Sequence, residues 1–162
     1  MTSRLNPYLG FRDDARQALE FYRSVFGGDL RIGTFAEMGA VQDPSDADKV
    51  MHGQLETTRG YVLMASDTPT SMSRSETNNV SMSLSGDGDD AEELRGYFAA
   101  LSDDGTVLEP LTQAPWGDEF GMVTDRFGIT WLVNVTATQP PPDQPPPDQP
   151  TPDQPTPGQH DA

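Results

Sequence analysis

Residues 6–30, NPYLGFRDDARQALEFYRSVFGGDL, carry a strand, a helix and the start of a second strand. Leu5, Pro7, Leu9 and Phe11 alternate with Asn6, Tyr8 and Gly10, the two-residue period of a half-buried strand. Asp13 and Asp14 supply an N-cap and negative charge for the first helical turn. Ala15, Ala18, Leu19, Tyr22, Val25 and Phe26 recur at helical spacing and form one apolar stripe. Gly27 and Gly28 then stop the helix. The remaining chain copies this unit once and folds against it.

Working outward, Asp29–Glu37 is the second strand, with Leu30, Ile32 and Thr34 on one face. Met38–Lys49 is a loop rich in Gly, Pro and acids. From Lys49 to Thr58 the pattern alternates again, with Met51, Gly53 and Leu55 set against His52, Gln54 and Glu56. Gly60 marks a turn, Tyr61–Ala65 is a compact apolar strand, and the polar stretch Ser66–Asn79 joins two halves. The second half opens with a strand at Val80–Leu84 and a helix from Ala91 to about Leu101, striped by Leu94, Tyr97, Phe98 and Leu101. At an offset of 75, Leu19 falls on Leu94, Tyr22 on Tyr97 and Phe26 on Leu101, a faint internal duplication. Strands at Thr106–Gln113 (interrupted by Pro110), Gly121–Asp125 and Ile129–Val135 complete the copy. Strand, helix and three strands, repeated, predict an α+β fold with mostly antiparallel neighbours.

Composition narrows the function. The chain has 162 residues and no cysteine, which excludes disulfides, zinc-thiolate sites and cysteine nucleophiles. Lys and Arg number 10 against 26 Asp and Glu, a net charge of −16 with no basic cluster. Nucleic acid and anionic membranes are therefore not expected partners. No apolar run approaches membrane-spanning length, and MTSRLNPYLG lacks a secretory apolar region, so a cytoplasmic location is expected. Ten of the fifteen prolines lie in pentads such as PPPDQ after Gln139. Such a segment cannot bury enough surface to offset its ordering entropy, so residues 139–162 are expected to be a disordered tail after a domain at 2–138. That tail is also a candidate ligand for a proline-recognising partner.

Three stretches taken in order, NPYLGFRDDARQALEFYRSVFGGDL, MHGQLETTRGYVLMASD and PWGDEFGMVTDRFGITWLVNV, resemble the PhnB-like branch of the vicinal oxygen chelate superfamily. That superfamily also holds glyoxalase I, bleomycin-resistance proteins and extradiol dioxygenases. The resemblance implies two βαβββ modules that form a curled mixed sheet around a cavity, and a homodimer with cavities built partly across the interface. It also implies where a divalent metal would sit in the enzymes of the superfamily, with ligands from the first and last strand of each module. Here those positions hold Asn6 or Tyr8, then Met64, then Ser81 or Ser83, then Asn134 or its neighbours, none a strong ligand. The expected cofactor is therefore none.

His52, Gln54 and Glu56 share one strand face, and His52 and Glu56 are the residues that would hold a divalent metal if one binds. Same-face neighbours stand about 6.5–7 Å apart along a strand, so other strands would have to complete the shell. Expected ligand-binding residues are His52, Gln54, Met64, Trp116, Phe120 and Trp131, with Met82 beside them, lining a pocket for a small, partly apolar molecule. Trp131 and the methionines fit equally well as core. Asp118 and Glu119 offer an acid/base pair only if neighbouring loop carboxylates converge. No nucleophile elbow, phosphate-cradling loop or methyl-donor site is legible. The leading expectation is metal-independent binding of a small molecule, with sequestration as in the bleomycin-resistance proteins one form of it. The alternatives are a metal-dependent lyase, isomerase or dioxygenase, and an interaction protein working through its tail.

Overall fold

The computed structural model describes residues 4–73 and 79–137; the expected tail lies outside the described residues. In chain order the elements are β1 (Tyr8–Phe11), α1 (Ala15–Phe26), β2 (Asp29–Thr34), β3 (Val50–Glu56), β4 (Val62–Asp67), β5 (Met82–Gly86), α2 (Ala91–Leu101), β6 (Thr106–Gln113), β7 (Glu119–Thr124) and β8 (Thr130–Val135). The first five form one βαβββ module and the last five repeat it. Each module builds its own four-stranded mixed sheet, in the orders β1-β4-β3-β2 and β5-β8-β7-β6. β1 runs parallel to β4 and β5 parallel to β8, and the other pairs are antiparallel. The internal copy read from the two helix stripes is thus a copy of topology as well.

The α1 stripe is buried at Ala15, Ala18, Leu19, Tyr22 and Phe26, with Val25 half-buried. Asp14 makes no side-chain cap; the amide of Ala15 donates instead to Asp67 Oδ1 from β4, at 2.9 Å. A carboxylate from a neighbouring strand thereby does what a local cap was expected to do. Gly28 has φ +99, and any Cβ there would stand 2.1 Å from the Glu56 carbonyl oxygen, so glycine is required where α1 turns back along the sheet. β2 ends at Thr34 rather than Glu37. Thr34 N donates to Glu37 Oε2 and Glu37 N to Thr34 Oγ1, and this reciprocal pair folds the chain into a turn. Leu5, expected in the first strand, is fully exposed ahead of it.

The position of α1 decides where the working surfaces lie. Leu19 presses on Gly53 of β3 so closely that an added Cβ would meet its Cδ1 at 2.2 Å. The same helix sends Tyr22 and Phe26 against Trp131 of β8, with ring centroids 5.6 and 5.4 Å apart, and Phe26 against Tyr97 of α2 at 4.9 Å. α1 therefore belongs to the cores of both modules. Both sheets turn one face toward this shared core and the other away from it. Among the described residues the two sheets do not join into one closed sheet. Among the described residues no helix is long and apolar enough to cross a membrane.

Candidate functional site

In β3, Gly53 and Leu55 are buried toward α1, which sends His52, Gln54 and Glu56 to the opposite face. Cross-strand register then places Tyr8, Met64, Gln54 and Arg31 side by side in one row on that outer face. In the next row Gly10 stands beside Ser66, and Gly33 beside His52. A side chain at Gly10 would meet nothing within 4 Å, whereas at Gly33 it would press on Met38, whose Sδ lies 3.3 Å from the Cβ position. Gly10 thus leaves open space on this face, while the Met38 side chain lies over Gly33 beside His52.

The polar groups on this face satisfy one another. The Tyr8 hydroxyl and His52 Nδ1 share a hydrogen bond of 3.2 Å, with ring centroids 5.7 Å apart. Gln54 Nε2 donates to Glu56 Oε1 at 2.7 Å. His52, Gln54 and Glu56 share one face as the alternation predicts, and register sets Met64 beside Gln54. Tyr8 and Arg31 join them only through register, which no single strand reveals. Among the described residues, no three His, Cys, Asp or Glu side chains converge in a geometry able to hold a metal ion.

The outer face of the second sheet has a different character. Trp116 and Phe120 pack edge to face, 5.8 Å between centroids, and with Thr112, Met122 and Glu109 they line a hollow of about 290 Å³. Trp116 is 53% exposed, a large aromatic surface left in water. Met122 sits beside Leu132, and Phe120 beside Asn134, along the same face. Asn134 Nδ2 donates to Asp118 Oδ2 at 3.0 Å, and the amide of Ala137 donates to Asp118 Oδ1 at 3.1 Å. These two bonds, the side-chain one foremost, hold the Asp118 carboxyl below the usual aspartate range. Glu119 turns the other way, to Arg95 of α2, and that guanidinium lowers its carboxyl as well. The adjacent carboxylates serve different neighbours and do not form an acid/base pair.

Trp131 stands apart from the other expected ligand residues. It is buried at 1% exposure on the core side of β8, and its Nε1 donates to Asp125 Oδ2 at 2.8 Å. Alternation along WLVNV sets Trp131, Val133 and Val135 on the core face and Leu132 and Asn134 on the outer one. The expected single pocket is thus divided three ways in one chain. His52, Gln54 and Met64 lie on the first sheet, Trp116 and Phe120 on the second, and Trp131 and Met82 edge a cleft between the modules.

The fold is of the glyoxalase/bleomycin-resistance type. The chain belongs to the family described as 3-demethylubiquinone-9 3-methyltransferase, the PhnB-like family, whose model matches residues 3–134. Protein PA1353 from Pseudomonas aeruginosa is 34% identical, covers 84% of this chain and 99% of its own, and superposes with a TM-score of 0.70. A putative 3-demethylubiquinone-9 3-methyltransferase, PhnB protein, from Bacillus cereus is 25% identical, with 83% and 100% coverage and a TM-score of 0.66. Protein YjdN of Escherichia coli is 26% identical over 84% of this chain and 97% of its own length. A glyoxalase/bleomycin resistance protein/dioxygenase family enzyme from Burkholderia phytofirmans, 14% identical with a TM-score of 0.50 and 79% and 95% coverage, shares the fold alone.

Proposed function

We propose that this protein binds a small, partly apolar molecule without a metal, between the outer face of the first sheet and the outer face of a second copy's second sheet. The reading rests on one observation above the others. The polar face that carries His52 and the face that carries the aromatic pair Trp116–Phe120 both point away from the shared core, so each stands open to a second copy. In a two-fold dimer the two faces meet twice, once per pair of modules, and each site takes residues from both copies. Tyr8, His52 and Gln54 would orient the polar end of the ligand, while Met64, Trp116 and Phe120 would cover its apolar part. The absence of a methyl-donor site in the sequence argues against reading an activity from the family's description.

His52 is already bonded to Tyr8, and the Glu56 carboxylate to Gln54, which favours a hydrogen-bonding wall over a charged ligand shell. Native mass spectrometry of the purified protein is expected to give a dimer that carries a small molecule, lost in Trp116→Ala and in Met64→Ala. The metal-dependent reading is met by elemental analysis after dialysis against Mn²⁺, Ni²⁺, Zn²⁺ and Fe²⁺. Near-stoichiometric metal that disappears in His52→Ala would overturn the metal-free reading and direct attention to lyase, isomerase and dioxygenase chemistry. A monomer that retains ligand would overturn the cross-copy site.

A further inference from the structure

Between the modules, on the side where β1 and β5 present their free edges, lies a cleft of about 640 Å³. It opens along the edges of both sheets, reaching Val62 in the row of Glu56 and Ser83 and Ser85 in the rows of Leu132 and Asn134. Phe26, Leu63, Leu84 and Trp131, each buried to 8% exposure or less, form its floor, and Met82 flanks it. Arg4 stands at the mouth and is the only charged residue among the described ones that line it. In a chain with 26 acids and 10 bases, an opening that shows one guanidinium and no carboxylate favours anions over cations. The volume falls in the usual range of small-molecule pockets, roughly 300–1,000 Å³, and boundaries between packed units are where such pockets form.

We infer that this cleft is a second binding site, for an amphipathic carboxylate whose apolar body enters between the modules and whose anionic end stays at the mouth with Arg4. A guanidinium holds a carboxylate by two parallel hydrogen bonds, which suits a ligand that keeps its head at the surface. The four floor side chains are apolar, while Asn6, Ser83 and Ser85 put polar groups around them, so selectivity falls on the length of the apolar body and the charge of its head. The ends of the cleft are held by different modules: Pro7 and Tyr61 come from the first, Met82 and Ser85 from the second. Occupancy would therefore tie the two modules together. This inference does not depend on the outer-face site or on dimer formation.

Trp131 is a built-in reporter. In the full-length Trp116→Phe protein it is the single tryptophan left, and bromine quenches indole fluorescence only at contact. Titration with ω-bromodecanoate is expected to quench Trp131 saturably, whereas ω-bromodecanol, the uncharged analogue, binds about tenfold more weakly. Shortening the chain is expected to weaken binding about fourfold per methylene lost from the apolar floor. Arg4→Glu changes an exposed residue ahead of β1 and leaves the core intact; it is expected to abolish the preference for the acid over the alcohol. A ligand bound at the outer face of β8 would leave Trp131 unquenched, because that side chain faces the core. No saturable quenching, equal binding of acid and alcohol, or an acid preference unchanged in Arg4→Glu would each overturn the inference.

Discussion

The β3–β4 turn of the first module, Thr57–Tyr61, and the β7–β8 turn of the second, Asp125–Ile129, are built on one plan. In each, the amide of the first residue donates to the carbonyl of the fifth, at 2.9 Å in both. The fourth residue is a glycine with positive φ, +84 at Gly60 and +83 at Gly128, and it donates back to the first. The side chain of the first residue accepts from the fifth amide, through Thr57 Oγ1 at 2.9 Å and Asp125 Oδ1 at 3.0 Å. The difference is one atom. Threonine has one side-chain oxygen, which accepts inside its own turn, whereas aspartate has a second. Asp125 Oδ2 accepts from Tyr22 of α1 and from Trp131, both at 2.8 Å. One buckle is local, and its copy is a buried bolt between modules. Burial foremost, then the Asp125 charge, pushes the Tyr22 phenol well above its ordinary pKa, so it stays a donor.

Removing the bolt should give the largest effect. Asp125→Ala leaves the Tyr22 hydroxyl, the Trp131 indole N–H and two amides short of an acceptor. A loss of roughly 3–5 kcal/mol is expected in denaturant unfolding, against about 1 kcal/mol for Thr57→Ala at the matching turn. Similar losses at the two positions would show that the second oxygen contributes nothing. Asp67 tests the same contrast at the helix start. It accepts from Ala15 N and Val50 N at 2.9 and 2.8 Å, while sheet register gives Val135 the corresponding place in the second module. Asp67→Ala is expected to cost about 2–3 kcal/mol and to expose α1 amides first in hydrogen exchange.

Smaller effects belong to the exposed links. Arg59, at the tip of the β3–β4 turn, pairs with Asp90 and Glu93 next to and within α2, all three partly exposed. Arg59→Ala should cost at most about 1 kcal/mol, and less in high salt, because solvent screens such pairs. Asp118 gives a pH signature. Its carboxyl is lowered in the folded state, so its contribution is present above the ordinary aspartate pKa and is lost as pH falls through the lowered value. Acidification through that window should free the loop that carries Trp116 and change its fluorescence ahead of global unfolding. Asp118→Asn should remove this acid transition; its persistence would place the titrating group elsewhere.

Much of the fold was legible in residues 6–30, because a helix stripe ended by two glycines admits few alternatives. The α2 stripe repeated it, and Ala15–Phe26 and Ala91–Leu101 are helices where the spacing sets them. Strand ends were less legible. Thr34 stops β2 through a side-chain exchange with Glu37, a pairing that alternation does not encode. The cap of α1 was misread for a related reason, since its acceptor lies 52 residues away on β4. The shared face of His52, Gln54 and Glu56 followed from a strand's two-residue period.

The sequence alone determined the duplicated α+β topology, the resemblance to the PhnB-like family and the one face that His52, Gln54 and Glu56 share on β3. These depend on local period and on residues close in the chain. Only the tertiary structure decided which sides of the two sheets meet, and so that Trp131 joins the core while Trp116 faces solvent. A strand's alternation separates two faces without saying which one a distant helix will cover. Here α1 covers both sheets, through Leu19 on Gly53 and through Tyr22 and Phe26 on Trp131. That contact sets the expected ligand residues on separate surfaces of the chain.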